Sequence, residues 1–213
     1  MNTMIKLMIF DLDDTLVHSN INYSEIRYQI ADLFDPPLTS TIITKTPILK
    51  LLDQLKNIDP NKFTEGYRRV DHAEKIAARN AQVIEGAERI PKILNKYGIH
   101  SVIYTNNSKG TVEAYLVKPK FKFLRNFQIF TREDFIEPKP SPIGLNDIIK
   151  RYQGKQITKD NTVYIGDSYI DAVAADKAEI KFIWFNSRKI DQDLFPRSPY
   201  AILTDWSDFE SIF

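Results

Sequence analysis

The chain has 213 residues, with 29 basic and 28 acidic side chains and no cysteine. A net charge of +1 offers no excess of either sign for binding nucleic acid or a membrane surface, and the lack of cysteine excludes disulfides, a thiol nucleophile and cysteine-based zinc sites. No apolar run approaches the roughly 18–20 residues of a membrane-spanning helix, and the apolar start is too short for a signal peptide, so we expect a cytoplasmic protein without nucleic-acid or membrane partners.

The first predicted element is the strand Leu7–Phe10, an apolar run that ends in two aspartates, Asp11 and Asp13. Short apolar runs are typical of buried parallel strands, and open α/β sheets bind ligands just beyond the carboxyl ends of such strands. Residues two apart in an extended chain point to the same side, so the two carboxylates should lie together and need a cation or a proton. Taken alone, the segment also fits a solvated turn or a helix N-cap.

A block of predicted helices follows this strand. Helical periodicity predicts three helices, at residues 23–33, 47–57 and 63–80. Thr46 is the expected N-cap of the second helix, with Pro47 at its first position. The Asp-Pro sequences at residues 35–37 and 59–60 are expected in turns. The block therefore predicts a helical insertion after the first strand of an α/β domain.

The next strand again delivers polar groups. A helix predicted at residues 87–97 is ended by Gly98, and the strand-like run at residues 101–104 follows it. This run leads into hydroxyl and amide side chains, which can hydrogen-bond an anion without adding charge: Thr105, Asn106, Asn107 and Ser108. The alternative interpretation is an ordinary polar loop.

A lysine and a second pair of aspartates come later in the chain. Lys139 stands between Pro138 and Pro140, which restrict the backbone on both sides and make a rigid mount for one positive charge. In the segment of residues 162–178, an apolar strand leads through Gly166, placed for a tight turn or a close approach, into Asp167 and then Asp171. If the chain is helical from residue 169, the two carboxylates lie near the start of that helix. Individually, Lys139 fits a surface lysine and Asp171 a helix-favouring acid.

Strand-like runs that alternate with helical stretches predict an α/β fold, with a Rossmann-like parallel sheet, helices on both faces and an inserted all-helical domain. The predicted strands are residues 7–10, 101–104, 127–130, 162–165, 182–185 and 200–203. The predicted core comprises residues 1–18 and 84–213, and the predicted helical cap comprises residues 19–83.

The four polar segments, in this order, resemble the four motifs of the haloacid dehalogenase superfamily, in particular its phosphoglycolate phosphatase-like branch with a helical cap. The resemblance covers the chain except roughly residues 20–83. It implies a nucleophile at Asp11, a general acid/base at Asp13, phosphate binding by Thr105 and Asn106, and a charge-balancing catalytic lysine at Lys139 that also binds phosphate.

The resemblance also implies a Mg²⁺ cofactor, held by Asp11, the backbone carbonyl of Asp13 and Asp167, with Asp171 in support. Two positions depart from the family pattern: Asp14 stands where many members have glycine, and Glu179 stands where many have glycine after alanine. Neither departure replaces a reacting group. Asp13 argues for phosphoryl chemistry, because the dehalogenase branch lacks this second aspartate.

The expected function is therefore a Mg²⁺-dependent phosphatase that hydrolyses a small phosphorylated metabolite through an aspartyl-phosphate, acting as a monomer or homodimer. A cap would exclude water and select the substrate. Polar candidates in the cap are Tyr23, Arg27, Lys45, Arg68, Arg69 and His72. Each of them also fits a solvated helix face.

Other functions fit the same motifs. A sugar phosphomutase uses the same aspartyl-phosphate, and a phosphonate hydrolase would need a cap lysine such as Lys45, Lys50 or Lys75. A non-catalytic module phosphorylated on Asp11, in the manner of a response-regulator receiver, and an inactive scaffold are further alternatives. Receivers carry their phosphoacceptor on a later strand and have no helical insertion.

Overall fold

The chain divides into two compact units in the computed structural model, which describes residues 4–186 and 195–213. The larger unit comprises Met1–His18 and Gln82–Phe213, and the smaller comprises Ser19–Ala81. Residues 1–3 and 187–194 of the predicted core lie outside the described residues. The roles of the two segments as catalytic core and cap stay predictions.

Eight strands are found in the described residues: β1 (Leu7–Phe10), β2 (Val17–His18), β3 (Gln82–Val83), β4 (His100–Tyr104), β5 (Gln128–Phe130), β6 (Thr162–Gly166), β7 (Lys181–Phe185) and β8 (Ala201–Leu203). Six of them form one sheet in the order β5-β4-β1-β6-β7-β8, with every pairing parallel. Numbered along the chain, this order is the 3-2-1-4-5-6 of a Rossmann sheet. It confirms the predicted fold class, and the six predicted strands match with ends shifted by at most one residue.

The α-helices are α1 (Tyr23–Ala31), α2 (Ser40–Lys45), α3 (Ile48–Ile58), α4 (Pro60–Asn80), α5 (Ile90–Lys96), α6 (Lys109–Leu116), α7 (Ile143–Tyr152) and α8 (Tyr169–Ala178). The first four lie in the smaller unit and the last four in the larger. None of the helices in the described ranges is long and apolar enough to cross a membrane.

One face of the sheet packs on α7 and α8. Alternate side chains of each strand point to this face, and they form a fully or nearly fully buried cluster with apolar residues of the two helices, among them Leu7, Ile9, Val102, Tyr104, Tyr164, Leu145 and Ile148. The contacting side of α8 consists of alanines, whose small side chains let the helix backbone approach the sheet. The carboxyl ends of β1, β4 and β6 are thereby fixed side by side.

The opposite face carries Phe10, whose ring contacts those of Trp206 and Phe209 in the C-terminal segment. The Trp206 indole N–H also donates to the backbone carbonyl of Thr15 at 3.0 Å. This buried hydrogen bond ties the loop that follows β1 to the end of the chain. The C-terminal segment therefore supports the loop that carries the first two aspartates.

The smaller unit is held together by an apolar cluster from its helices, including Ile26, Ile30, Leu51, Leu55 and Val70. The predicted helices are present with shifted ends. Two local predictions are wrong. Thr46 is not the N-cap of α3. It is the C-cap of α2, where its backbone N–H donates to the Ile42 carbonyl. Pro47 is the N-cap of α3 instead of its first helical residue. The short helix α2, which is rich in β-branched residues, was not predicted. The start of α3 was therefore expected one residue before its observed position.

The prediction of a turn at Asp59 and Pro60 is also wrong. Asp59 is the N-cap of α4, its carboxylate accepts hydrogen bonds from the N–H groups of Asn61 and Lys62, and Pro60 opens the helix. Both residue types suit a helix start as well as a turn, and the apolar stripe of α4 decides between them. The chain bends at residues 34–36, which agrees with the turn predicted at residues 35–37 except at its last residue.

Gly144, in the first turn of α7, supplies a test of the packing. An ideal Cβ at this position would overlap the buried phenol of Tyr104, so we expect Gly144→Ala to lower the free energy of unfolding by about 1–3 kcal/mol. Gly154→Ala is the matched control, because nothing lies within 4 Å of its added Cβ, and this variant should be as stable as the parent or slightly more stable. Urea denaturation measures both, and equal stability of the two variants would contradict the packing described.

Candidate active site

The residues that the sequence analysis singled out in the larger unit gather at the carboxyl edge of the sheet. Asp11 follows β1, Thr105 follows β4 and Asp167 follows β6, and these three strands are neighbours in parallel register. The backbone N–H of Asp11 donates to the carbonyl of Ile165 at 2.8 Å, which continues the ladder one residue beyond β1. The sheet itself therefore sets the spacing of the site.

A buried lysine forms the centre of the site. The ammonium group of Lys139 donates to Asp11 Oδ1 at 2.5 Å, to Asp171 Oδ1 at 2.7 Å and to the Tyr164 hydroxyl at 2.8 Å. Lys139 is only 4% exposed. It also lies 5.4 Å from the ring centre of Tyr104, so a buried aromatic face completes its surroundings.

The backbone around Lys139 is positioned by Asn106. The amide side chain of Asn106 donates to the Lys139 carbonyl and accepts from the Lys139 N–H, both at 3.0 Å. This two-point contact joins the loop after β4 to the proline-flanked loop. Asn106, predicted to bind phosphate, has its side-chain contacts with the Lys139 backbone in this structure.

The pKa shifts of Asp11 and Lys139 follow from their burial and from the charges around them. Burial raises the pKa of Asp11 to about 8, against the opposing effect of Lys139 and with further contributions from the charges of Asp171 and Asp13. Burial lowers the pKa of Lys139, but the charges of Asp11 and Asp171 outweigh it and raise that pKa above its ordinary value. Lys139 is therefore a fixed positive charge in a strongly acidic site.

Asp171 is held at the start of α8. Its Oδ2 accepts from the hydroxyl of Ser168 at 2.5 Å and from the backbone N–H of Ser168 at 3.2 Å, which completes a capping box. Its Oδ1 accepts from the Tyr164 hydroxyl at 2.6 Å. A Cβ on Gly166 would lie 2.6 Å from the Asp171 Cβ, so the close approach predicted for this glycine is confirmed.

Asp13 has different surroundings from Asp11. Its Oδ2 accepts from the amide of Asn107 at 2.6 Å, and its Oδ1 accepts from the hydroxyl of Tyr115 at 3.1 Å. These two donors are neutral groups. Thr105 lies two residues before Asn107 and is buried. Its hydroxyl accepts a hydrogen bond from the backbone N–H of Asn107 at 3.1 Å.

Three carboxylates form a candidate metal site within the described residues. One oxygen each from Asp11, Asp167 and Asp171 lies within 4.8 Å of the others. Hard divalent cations such as Mg²⁺ take carboxylate oxygens as ligands, and one ammonium group leaves these acids with excess negative charge. The donor set and the charge therefore both fit a divalent cation. The Trp184 indole N–H donates to the Asp167 carbonyl at 3.1 Å and fixes the backbone there.

The substrate-binding candidates of the smaller unit stay predictions. Arg68 and Arg69 both bind Glu65, whose pKa their hydrogen bonds lower to about 2. Arg69 also donates to the Gln29 carbonyl. The Nε of Arg27 is buried without a hydrogen-bond partner, and Tyr23 and His72 are exposed.

The contacts made by two tyrosines were not predicted from the sequence. Tyr164 lies inside an apolar strand, where its hydroxyl could have been recognised as a group that needs a buried partner. Tyr115 lies on α6, and nothing in its local sequence indicates that its hydroxyl reaches Asp13. Asn107 was grouped with the anion-binding side chains but was given no contact with Asp13.

The sheet order and the buried acid–lysine cluster define an α/β protein with a candidate site for a divalent cation. A family model described as haloacid dehalogenase-like hydrolase matches residues 8–185. The chain belongs to this family. Two curated relatives, both phosphoglycolate phosphatases of Cereibacter sphaeroides, are 26% and 28% identical over 189 residues, covering 84% of this chain and 84% of each relative.

Solved structures show the same fold. A hydrolase from Pseudomonas syringae superimposes with a TM-score of 0.75 at 20% identity, covering 97% of both chains. A haloacid dehalogenase family hydrolase from Deinococcus radiodurans R1, solved with bound phosphate and sodium, superimposes with a TM-score of 0.60 at 17% identity, covering 98% of this chain and 94% of that chain. At these identities the likeness concerns the fold alone.

Removing the central ammonium tests its structural role. Lys139→Met keeps an unbranched side chain but leaves the buried Asp11 and Asp171 without this cation, so we expect the free energy of unfolding, measured in EDTA, to fall by about 3–5 kcal/mol. Lys159→Met is the matched control, because the Lys159–Glu179 pair, at 2.9 Å, lies on the surface and exposed ion pairs contribute little. A Lys139→Met protein as stable as this control would contradict the assignment.

Proposed function

We propose that this protein is a Mg²⁺-dependent phosphatase that hydrolyses a small phosphomonoester through an aspartyl-phosphate on Asp11. The observation that carries the proposal is the buried contact of Lys139 with Asp11 and Asp171 at the carboxyl edge of the sheet, beside Asp167. An acidic nucleophile, a fixed cation and a candidate metal site in contact are what attack on a phosphate dianion requires, because its charge must be neutralised first.

The binding step uses groups from three strand ends. Lys139, Thr105 and Asn106 are our candidates for binding the phosphate oxygens. Asp11, Asp167 and the backbone carbonyl of Asp13 would hold Mg²⁺, with Asp171 in support. When bound, Mg²⁺ supplies the positive charge that lets the carboxylates and the phosphate oxygens come together.

The reaction proceeds in two halves. In the first, an Asp11 carboxylate oxygen forms a bond to phosphorus, the bond between phosphorus and the leaving oxygen breaks, and Asp13 gives its proton to the departing alcohol. In the second, a water oxygen bonds to phosphorus, the acyl-phosphate bond to Asp11 breaks, and the water proton goes to Asp13. One carboxylate thus acts as acid and then as base, and phosphate leaves.

The names of the curated relatives, which are phosphoglycolate phosphatases, support a proposal for the substrate class. We therefore propose a small phosphomonoester similar to phosphoglycolate. The polar side chains of the smaller unit, Tyr23, Arg27, Arg68 and His72, are our candidates for contacts to the rest of that substrate.

Phosphate release tests the activity. The purified protein should release inorganic phosphate from at least one ester of a panel containing phosphoglycolate, sugar phosphates and p-nitrophenyl phosphate. Asp11→Asn should abolish this release, because the amide is a poor nucleophile, whereas Asp147→Asn, at an exposed position on α7, should leave it unchanged. Release by Asp11→Asn at the parental rate would refute the proposed nucleophile, and no release from any ester would favour a mutase or a non-catalytic binder.

Metal binding has a readout independent of turnover. At a Mg²⁺ concentration about 100-fold above its Kd, ligand binding adds about 2.7 kcal/mol to stability, which corresponds to a rise of roughly 5–10 °C in melting temperature for a chain of this size. We expect this rise in the parent and in Asp147→Asn, and its loss in Asp167→Asn. A rise of the same size in Asp167→Asn would place the cation elsewhere.

A further inference from the structure

Two neutral donors hold the carboxylate of Asp13, one on each oxygen. Asn107 donates its amide N–H to Oδ2 at 2.6 Å, and Tyr115 donates its hydroxyl to Oδ1 at 3.1 Å. Neither residue takes part in the reaction steps proposed above. With both oxygens occupied, the carboxylate is held against rotation about its own axis.

The two donors belong to one well-anchored segment. The carbonyl of Asn107 accepts from the backbone N–H of Arg132 at 3.2 Å, and the next residue, Ser108, caps α6 by accepting from Thr111. Tyr115 lies further along that helix, is fully buried, and packs edge-on against Phe121 with 5.2 Å between the ring centres. The position of Asp13 is therefore set by the loop after β4 and by α6.

We propose that Tyr115, together with Asn107, is a positioning residue that aims Asp13 at the oxygen of the leaving group. The inference rests on the proposed function. A hydroxyl both donates and accepts hydrogen bonds, so the contact of Tyr115 with Oδ1 persists when Asp13 is ionised and when it carries a proton.

This role makes a specific demand on the substrate. As the bond between phosphorus and the leaving oxygen breaks, an alkyl phosphate releases a strongly basic oxygen that needs the proton of Asp13. p-Nitrophenyl phosphate releases a stable anion that leaves without it. The ratio kcat/KM covers the steps up to departure of the alcohol, so it isolates the first half of the reaction. A misaimed Asp13 should therefore lower kcat/KM for the alkyl ester and spare the aryl ester.

The experiment compares Tyr115→Phe with the parent on two esters, the best alkyl phosphate of the panel and p-nitrophenyl phosphate. General acid catalysis contributes about 10²–10⁴-fold, so we expect a loss of at least about 10-fold in kcat/KM for the alkyl ester and less than about 3-fold for the aryl ester. Tyr152→Phe is the matched control. It removes a hydroxyl that donates to Gln128 at 2.7 Å, at the opposite end of the sheet, and should change neither value.

A second variant keeps the result independent of folding effects. Asn107→Ala removes the other donor to the same carboxylate and should give the same selective loss, and melting curves check that each variant is folded. Equal losses on the two esters, or no loss on either, in both variants would overturn the positioning role while leaving the phosphatase intact. Failure of the parent to hydrolyse either ester would instead overturn the proposed function, and with it the inference that depends on it.

Discussion

The buried ammonium of Lys139 is the interaction on which the site depends. Taking a charge out of water is costly, and the cost is offset only where opposite charges and hydrogen bonds surround it. Here the partners come from β1, β6 and α8, through Asp11, Tyr164 and Asp171. Any shift of these elements would leave a buried charge unpaired. The same contact that links the elements also fixes the position of Asp11.

The balance of charges explains why the site can be stable and still favour the binding of a divalent cation. One ammonium faces Asp11 and Asp171, with Asp167 close to both, so negative charge remains in excess. A divalent cation relieves this excess and brings positive charge to the position where an anionic substrate would bind. The same excess of negative charge therefore holds the lysine in place and favours the binding of a metal ion. A site neutralised entirely by its own lysines would hold together without needing a metal ion.

Much of this arrangement was predictable because parallel strands deliver their carboxyl ends to one edge of a sheet. The short apolar runs before Asp11, Thr105 and Asp167 located both the strands and the polar groups that meet there. The partners of the Tyr115 and Tyr164 hydroxyls were not predictable, because they depend on how α6 and β6 pack in three dimensions. The start of α3 was predicted one residue too early for a local reason. Thr46 is a residue type suited to an N-cap, but in the structure it ends the preceding short helix α2.

The two aspartates after β1 have different surroundings, which fit the different roles proposed for them. Burial raises the pKa of Asp11 to about 8, and the fixed cation that Asp11 contacts acts against this rise and favours the ionised carboxylate that the proposed nucleophilic attack needs. Asp13 accepts hydrogen bonds from the Asn107 amide and the Tyr115 hydroxyl, which hold its carboxylate in place. In enzymes, two carboxylates with different surroundings can act as a nucleophile and as a general acid/base within one short motif.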